Sequence, residues 1–121
     1  MAKNYEIAVL LDFYGEMLTE KQRTFLEYYY NDDLSLSEIA ENEGITRQGV
    51  RDAIKRAEAQ MLEMETKLGM AKRFSSLKER VEKIIDFSEK ITEYNLEHDT
   101  SKEINEYSIQ VKTEAMSLLD I

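Results

Sequence analysis

Residues 34–57 read LSLSEIAENEGITRQGVRDAIKRA, and this stretch decides the fold. It contains a short helical segment, a glycine, and a second segment with helical periodicity, which is the plan of a helix-turn-helix motif. Gly44 stands where the chain leaves the first helix, and glycine suits the left-handed conformation that such an ending requires. The pattern predicts the turn near residues 43–46 and a recognition helix from Arg47.

Capping signals and small or apolar residues support both helices of this motif. Ser35 and Glu38 form a capping box at the start of the first helix, and Thr46 is a favourable cap for the second. Ala40 is small enough to let the two helix backbones approach each other. We expect Ile45, the one apolar residue of the turn, to fill the angle between the helices.

A basic stripe follows one face of the second helix. Arg47, Arg51 and Lys55 are spaced by four residues, which places them on the same side of a helix, and Gln48 and Arg56 flank them. Arginine and glutamine near the start of the second helix are the residue types that read base edges in the major groove. The predicted nucleic-acid-binding residues are therefore Arg47, Gln48, Arg51, Lys55 and Arg56.

Two features also have a purely structural interpretation. The stripe could be a solvated helix face, with Asp52 and Glu58 as the ion-pair partners of its basic residues. The aromatic run Tyr28–Tyr30 could stack on bases, or it could belong to the core and its rim. These alternatives stay open at the level of sequence.

The composition excludes several kinds of site. The chain has 121 residues, of which 42% are hydrophobic and 34% are charged, with no proline and 4 glycines. So few helix breakers favour an all-α fold. The absence of cysteine excludes disulfides and thiolate metal sites, and one histidine, His98, cannot form a multi-histidine metal site. No nucleophile motif is recognisable, so we expect no cofactor, no metal and no enzymatic activity.

The charge balance restricts the partners. The net charge is −9, from 16 basic and 25 acidic residues. A chain this acidic repels nucleic acid at long range unless its positive charge is concentrated on one face. No apolar run reaches the roughly 20 residues that cross a bilayer, and the N-terminus lacks the apolar core of a signal peptide. We expect a cytoplasmic protein without membrane insertion.

Two shorter helices are predicted ahead of the motif. The first carries apolar residues three and four positions apart, as one helical face requires: Ile7, Leu10, Leu11, Tyr14 and Leu18. Thr19 and Gln22 form a further capping box, and the helix that follows it is predicted to run to about Tyr30.

Apolar spacing divides the chain into two parts. Residues 1–69 are predicted to form the helix-turn-helix module, and residues 70–121 an antiparallel hairpin of two helices, the second capped from Asp99. The residues expected to face inward in the hairpin are Phe74, Leu77, Val81, Ile84, Ser88, Ile91, Ile104, Tyr107, Val111, Ala115 and Leu118. The hairpin and the C-terminal half of the recognition helix, Met61–Leu68, are expected to form the dimer interface. The sequence therefore predicts a homodimer.

The motifs of this sequence resemble those of two known families. The pattern Ile-Thr-Arg-Gln-x-Val-Arg at residues 45–51, followed by Lys-Arg-Ala at 55–57, resembles the recognition helix of region 4 of bacterial sigma factors. A longer match, over about residues 7–68, resembles the YlxM-like family of small proteins from Gram-positive bacteria and mycoplasmas. Its segments are Leu11-Asp12-Phe13-Tyr14, Leu18-Thr19-x-Lys21-Gln22, Tyr28-Tyr29-Tyr30-x-Asp32-Asp33-Leu34-Ser35-Leu36, Glu38-Ile39-Ala40 and Arg47-Gln48-Gly49-Val50.

The resemblance implies a sigma-region-4-like helix-turn-helix that meets DNA through Arg47, Gln48, Arg51 and Lys55. Genes of the family lie beside those of the signal recognition particle pathway, which implies a regulatory role linked to that pathway. Gly49 and Asp52 occupy positions where region 4 of sigma factors usually has Arg and Gln, and Asp52 adds a negative charge to the groove-facing side.

Two functions from different classes follow. The first is a DNA-binding regulatory protein, in which Arg47, Gln48 and Arg51 reach base edges or nearby phosphates while Lys55 and Arg56 contact the backbone. The second is a protein-interaction module, whose acidic surface binds a component of the signal recognition particle or of the protein-targeting machinery without direct DNA binding.

Overall fold

Six α-helices and no β-strand form in residues 1–98 and 100–119, which are the residues that this computed structural model describes. The helices are α1 (Tyr5–Tyr14), α2 (Glu20–Leu26), α3 (Leu36–Glu43), α4 (Arg47–Leu68), α5 (Met70–His98) and α6 (Lys102–Ser117). The prediction of an all-α helix-turn-helix fold is confirmed.

The helices belong to two compact units, Met1–Ala71 and the segment that begins at Lys72. Whether residues 1–69 and 70–121 are separate folding domains stays a prediction. Asp99, the predicted start of the last cap, and residues 120–121 at the end of the predicted hairpin lie outside the described residues.

In the first unit, α1, α2 and α3 pack against α4. Val50, Ile54, Ala57 and Met61 are fully buried on one face of α4, because spacings of four, three and four residues keep them on the same side of the helix. Burial of each larger side chain contributes about 1.5–3 kcal/mol. The other buried apolar residues here are Ile7, Leu10, Leu11, Tyr14, Leu18, Phe25, Leu26, Tyr29, Tyr30, Leu36, Ile39 and Ala40.

The far half of α4 is covered differently from the prediction. Met61 is fully buried within the first unit, and Met64 packs against the same core. The expectation that a second chain covers this part of α4 is therefore wrong at Met61 and Met64, which the unit's own helices cover. Leu68, at the end of α4, is 44% exposed.

The predicted helix starts are confirmed. The Thr19 hydroxyl accepts a hydrogen bond from the backbone N–H of Gln22, and the Gln22 side chain accepts one from the N–H of Thr19. Ser35 and Glu38 form the same reciprocal pair at α3, and Thr46 caps α4 through a single bond of 3.0 Å. These bonds satisfy donors that the first turn of a helix leaves unpaired.

The helix predicted from Thr19 to about Tyr30 is continuous, but its winding changes. After α2 the chain makes a wider π-helical turn over Glu27–Asn31. Tyr29 and Tyr30 are buried in this turn. Their burial favours the interpretation of these aromatic residues as part of the core rather than as a surface for stacking bases.

Two tyrosine–glutamate hydrogen bonds connect the earlier helices to α4. The Tyr14 hydroxyl donates to Glu65 Oε1 at 2.6 Å, and the Tyr30 hydroxyl donates to Glu58 Oε1 at 2.7 Å. Burial, and then these bonds, raise the pKa of both hydroxyls above the ordinary tyrosine value. Glu65 Oε1 also accepts from the backbone N–H of Ala71 at 3.0 Å, so this carboxylate caps the start of α5.

In the second unit, α5 and α6 form an antiparallel hairpin. The Asn95 side chain both donates to the carbonyl of Ser101, at 2.7 Å, and accepts from its N–H, at 3.0 Å. Further from the connection, the hydroxyls of Thr92 and Ser108 lie 2.7 Å apart. The residue pairs that touch across the hairpin thus lie progressively further from the connection on both sides. Such pairs require antiparallel helices.

The prediction of which hairpin residues face inward is wrong in most cases. The buried residues are Val81, Ser88, Asn95, Ser108 and Ala115, which repeat every seven positions on each helix. Exposed residues that were expected inside are Leu77, Ile84, Ile91, Ile104, Tyr107, Val111 and Leu118. Small and polar side chains along the contact line let the helices approach closely, and the bulkier apolar residues therefore lie beside it.

Replacing Gly44 with valine is expected to lower the free energy of unfolding by about 1–3 kcal/mol, because a β-branched residue is strained in the left-handed region. Gly44 has φ +67°, and no atom lies within 4 Å of an added Cβ, so the cost is conformational rather than steric. Urea denaturation measures it, with Glu43→Val at the preceding exposed helical position as the control. An unchanged midpoint for Gly44→Val would place the turn elsewhere.

Tyr30→Phe is expected to lower the free energy of unfolding by about 1–3 kcal/mol. The change removes the hydroxyl that donates to the carboxylate of Glu58, and Glu58 is only 8% exposed. Tyr5→Phe is the control, because Tyr5 is 71% exposed. The raised pKa of Tyr30 means that the unfolded chain releases this proton first, from about pH 10 upward. The stability that this hydrogen bond contributes should therefore be lost only in that alkaline range, where the free energy of unfolding should fall less steeply with pH in Tyr30→Phe; equal slopes for both proteins would contradict the assignment.

Candidate nucleic-acid interface

The turn between α3 and α4 positions the interface. Gly44 ends α3 in the left-handed conformation, and its N–H and that of Ile45 both donate to the carbonyl of Ala40. Ala40 is buried, as its small size requires at a close helix crossing. Ile45 is 37% exposed and fills the angle between the helices only in part. Its side chain lies along the first turn of α4, 3.7 Å from the position of a Cβ on Gly49.

Three of the five predicted binding residues line one groove. Arg47, Gln48 and Arg51 are exposed and share a groove of about 450 Å³ with Met1 and Leu36. Within residues 1–98 and 100–119, no ion pair involves either arginine. Each guanidinium offers five donors in a planar fork, so this groove presents a dense set of donors to an anionic or acceptor-rich ligand.

Lys55 continues the same stripe, but its ammonium already has a partner. Its Nζ lies 3.8 Å from Glu58 Oε2, while the other oxygen of that carboxylate accepts the hydrogen bond from Tyr30. The side chain of Lys55 is 48% exposed. At this length, and with the ammonium half exposed, the pair contributes little to stability.

The acidic residue of this face holds the glutamine. Gln48 Nε2 donates to Asp52 Oδ1 at 2.9 Å, one helical turn along α4. This bond directs the amide and leaves its oxygen and its second N–H free for other partners. One such donor and one such acceptor together can bond to adenine in the major groove. Asp52 also lowers the positive potential beside the arginines, and with it the attraction for phosphate.

Arg56 stands apart from the other predicted residues. At about 100° per residue, it lies roughly 180° around α4 from Arg47, and it is exposed. It therefore faces away from the groove that Arg47 lines. Its predicted role as a backbone contact requires a phosphate on a different side of the helix.

The N-terminal arm, Met1–Asn4, adds residues that sequence reasoning missed. The Tyr29 hydroxyl donates to the carbonyl of Met1 at 3.0 Å. Lys3 pairs with Asp33, and its ammonium lies 4.9 Å from the centroid of the Tyr29 ring. These contacts join residues far apart in the chain, and the only local signal is a lysine ahead of the first helix.

Comparison with known proteins assigns the chain to a family. Residues 1–106 match the model of UPF0122, which is described as "Putative helix-turn-helix protein, YlxM / p13 like". The chain belongs to the UPF0122 family. The resemblance to YlxM-like proteins is thereby confirmed, and the match extends beyond residues 7–68, where the motifs were found.

The alignments with relatives named UPF0122 protein cover most of each relative's length. A UPF0122 protein of Acetivibrio thermocellus is 51% identical over 85 residues, which are 70% of this chain and 73% of the relative. One from Clostridium kluyveri is 46% identical over 87 residues, 72% of this chain and 78% of the relative. One from Thermoanaerobacter is 41% identical over 106 residues, 88% of this chain and 91% of the relative.

The UPF0122 match contains all five predicted binding residues and the whole of α5, and it ends inside α6. In the part of the chain that the structure describes, no group of three His, Asp or Glu side chains could hold a metal ion. None of the helices there is both long and apolar enough to cross a membrane.

Proposed function

We propose that this protein is a DNA-binding regulator that inserts the first half of α4 into the major groove. The observation that supports the proposal is the groove at the start of the second helix of the motif, where Arg47, Gln48 and Arg51 lie side by side and exposed. A recognition helix contacts base edges through residues near its N-terminal end. The family description as a helix-turn-helix protein supports the same function.

Each residue has a role that suits its chemistry. Arg47 and Arg51 can donate in bidentate fashion to guanine O6 and N7, and Gln48 can bond in the same way to adenine. Lys55 exchanges Glu58 for a phosphate. Arg56, on another side of α4, contacts the backbone where the duplex curves around the helix.

The acidic character of the chain sets the strength of binding. With a net charge of −9, the protein repels DNA except where the stripe faces it. Association should therefore be weak away from a specific site. This combination suits a regulator that discriminates between sequences more than one that coats DNA.

The proposed setting is the bacterial cytoplasm, with control of the signal recognition particle pathway as the role. Support for it comes from the resemblance to YlxM-like proteins, whose genes neighbour those of that pathway. The helix-turn-helix family and the all-α fold point to a regulatory protein rather than an enzyme.

A homodimer is part of the proposal, and its interface is an apolar flank on the hairpin. The flank consists of residues 41–65% exposed: Ile84, Phe87, Ile91 and Tyr94 on α5, with Ile104, Tyr107, Val111 and Leu118 on α6. Monomers rarely leave so many neighbouring apolar side chains in water. A second copy of the hairpin covers the flank with its own, in a two-fold four-helix bundle. Such a dimer also presents two recognition helices to two half-sites.

A second candidate function is favoured by the charge of the hairpin. Residues 84–121 carry nine acidic and three basic residues, a surface that attracts a basic protein. Binding of a basic component of the signal recognition particle without DNA is therefore the alternative. A pull-down from lysate distinguishes the two, because nuclease treatment releases partners held through nucleic acid and leaves direct protein partners bound.

Arg51→Ala is expected to weaken binding to a selected DNA site by about 1–3 kcal/mol and to relax base preference, whereas Lys55→Ala should weaken all sequences alike. Selection from a random duplex library, followed by fluorescence anisotropy on the selected site, measures both. Affinity should fall steeply with salt as counterions are released. Salt-independent affinity, or equal effects of the two variants on every sequence, would contradict base reading by α4.

Phe87→Glu is expected to convert the dimer into a monomer, because it places a charge in the apolar flank. Leu96→Glu is a matched control: Leu96 and Phe87 are 58% and 59% exposed on the same helix, but Leu96 lies roughly 180° from the flank. Sedimentation equilibrium at micromolar concentration gives the mass. A wild-type mass of one chain, 14.2 kDa, would exclude the dimer.

A further inference from the structure

The charge of α5 is divided sharply along its length. Residues 72–83 carry five basic and two acidic residues, although the whole chain has a net charge of −9. The rest of the hairpin is strongly acidic. The first third of α5 is therefore as positive, for its length, as the start of α4, and the proposed DNA-binding function leaves it unused.

Most of this positive charge lies on one face of α5. At about 100° per residue, Lys72, Arg73, Arg80 and Lys83 fall within an arc of about 100°, which we call the α5 strip. All four are exposed. Neither Glu79 nor Glu82 lies within the arc, and Glu79 is the nearer of the two to its edge.

Three residues of the strip differ from Lys90, Lys102 and Lys112 in their ion pairing. Lys90 pairs with Asp86 at 3.1 Å, Lys102 with Glu106 at 3.9 Å, and Lys112 with an acidic residue across the hairpin at 3.0 Å. Among the described residues, no ion pair involves Arg73, Arg80 or Lys83. The hairpin thus neutralises Lys90, Lys102 and Lys112 but leaves Arg73, Arg80 and Lys83 available to a ligand.

The position of the strip also opposes the stability of α5. The N-terminal end of a helix favours acidic residues and disfavours basic ones, yet the first turn of α5 has no acidic residue and contains Lys72 and Arg73. A carboxylate from α4 lies at this helix start, where Glu65 accepts from the N–H of Ala71. Arg73 therefore occupies a position that does not stabilise the helix.

We propose that the α5 strip binds the phosphodiester backbone of a nucleic acid, as a site separate from the recognition helix. Arg73 and Lys83 are about 15 Å apart along the axis of α5, a length that spans several phosphates of one strand. Arginine, which supplies two of the four residues, matches phosphate oxygens with its planar fork. The site reads no sequence and supplies affinity to whatever duplex or folded RNA the protein holds.

The test is the salt dependence of binding, by fluorescence anisotropy with a 20-base-pair duplex DNA and an RNA hairpin of similar length. Arg73→Gln/Arg80→Gln should weaken binding about tenfold at low salt and reduce the slope of log affinity against log salt by about 2. Lys90→Gln/Lys102→Gln changes the net charge equally in the same unit but removes cations that are already paired, so it should change neither by much. Glu79→Gln should strengthen binding.

The two nucleic acids and one further probe separate the sources of phosphate. An effect on DNA alone, on RNA alone or on both supports the strip and assigns its ligand. Unchanged nucleic-acid binding by Arg73→Gln/Arg80→Gln, with lost sedimentation on vesicles of anionic lipid, would overturn the proposal and assign the strip to a membrane. Equal effects of the strip variant and its control would also overturn it. Circular dichroism verifies that both double variants fold.

The strip and the recognition helix can fail independently. If Arg51→Ala leaves binding and base preference unchanged while Arg73→Gln/Arg80→Gln weakens binding, the proposed function of α4 fails and the strip stands. If the reverse holds, the strip fails and α4 stands. A wild-type protein that binds neither nucleic acid at low salt excludes both.

Discussion

The rotation of α4 about its own axis is fixed by four buried side chains, Val50, Ile54, Ala57 and Met61. Because they occupy the core, the residues on the adjoining faces of the same helix have only one direction available. A turn of the helix by one residue, about 100°, would bring charged side chains into the core at a cost of several kcal/mol. The groove that Arg47 lines is therefore a by-product of core packing.

The local parts of this arrangement could be predicted from the sequence, and the long-range parts could not. Capping boxes and the turn at Gly44 depend on residues three or four positions apart, so they can be read directly. The bond from Tyr14 to Glu65 and the arm beside Tyr29 depend on distant residues with no shared pattern. In the hairpin, periodicity identified the helices and placed Ser88 on the inward side, but it could not tell that Asn95, rather than the bulkier Ile91, lies on the contact line.

Acidic residues surround the basic stripe of α4 and also reduce its positive potential. Asp52 holds the amide of Gln48, and Glu58 lies between Lys55 and the hydroxyl of Tyr30. Part of the positive charge of α4 is thus in contact with negative charge before any ligand arrives. A ligand must displace or accommodate these contacts, which lowers affinity for every polyanion but lowers it least for one whose acceptors match the arginines.

The polar contact line of the hairpin affects how the molecule opens. Val81 and Ala115 are its only buried apolar side chains among the described residues, whereas the first unit buries sixteen in one cluster. Opening free energies follow local apolar burial. In a single chain, before a second copy covers the hairpin, backbone amides of α5 and α6 should therefore exchange with deuterium through local openings, while those on the buried face of α4 exchange only when the whole first unit unfolds. The chain then has two levels of protection, with the hairpin in the more labile one.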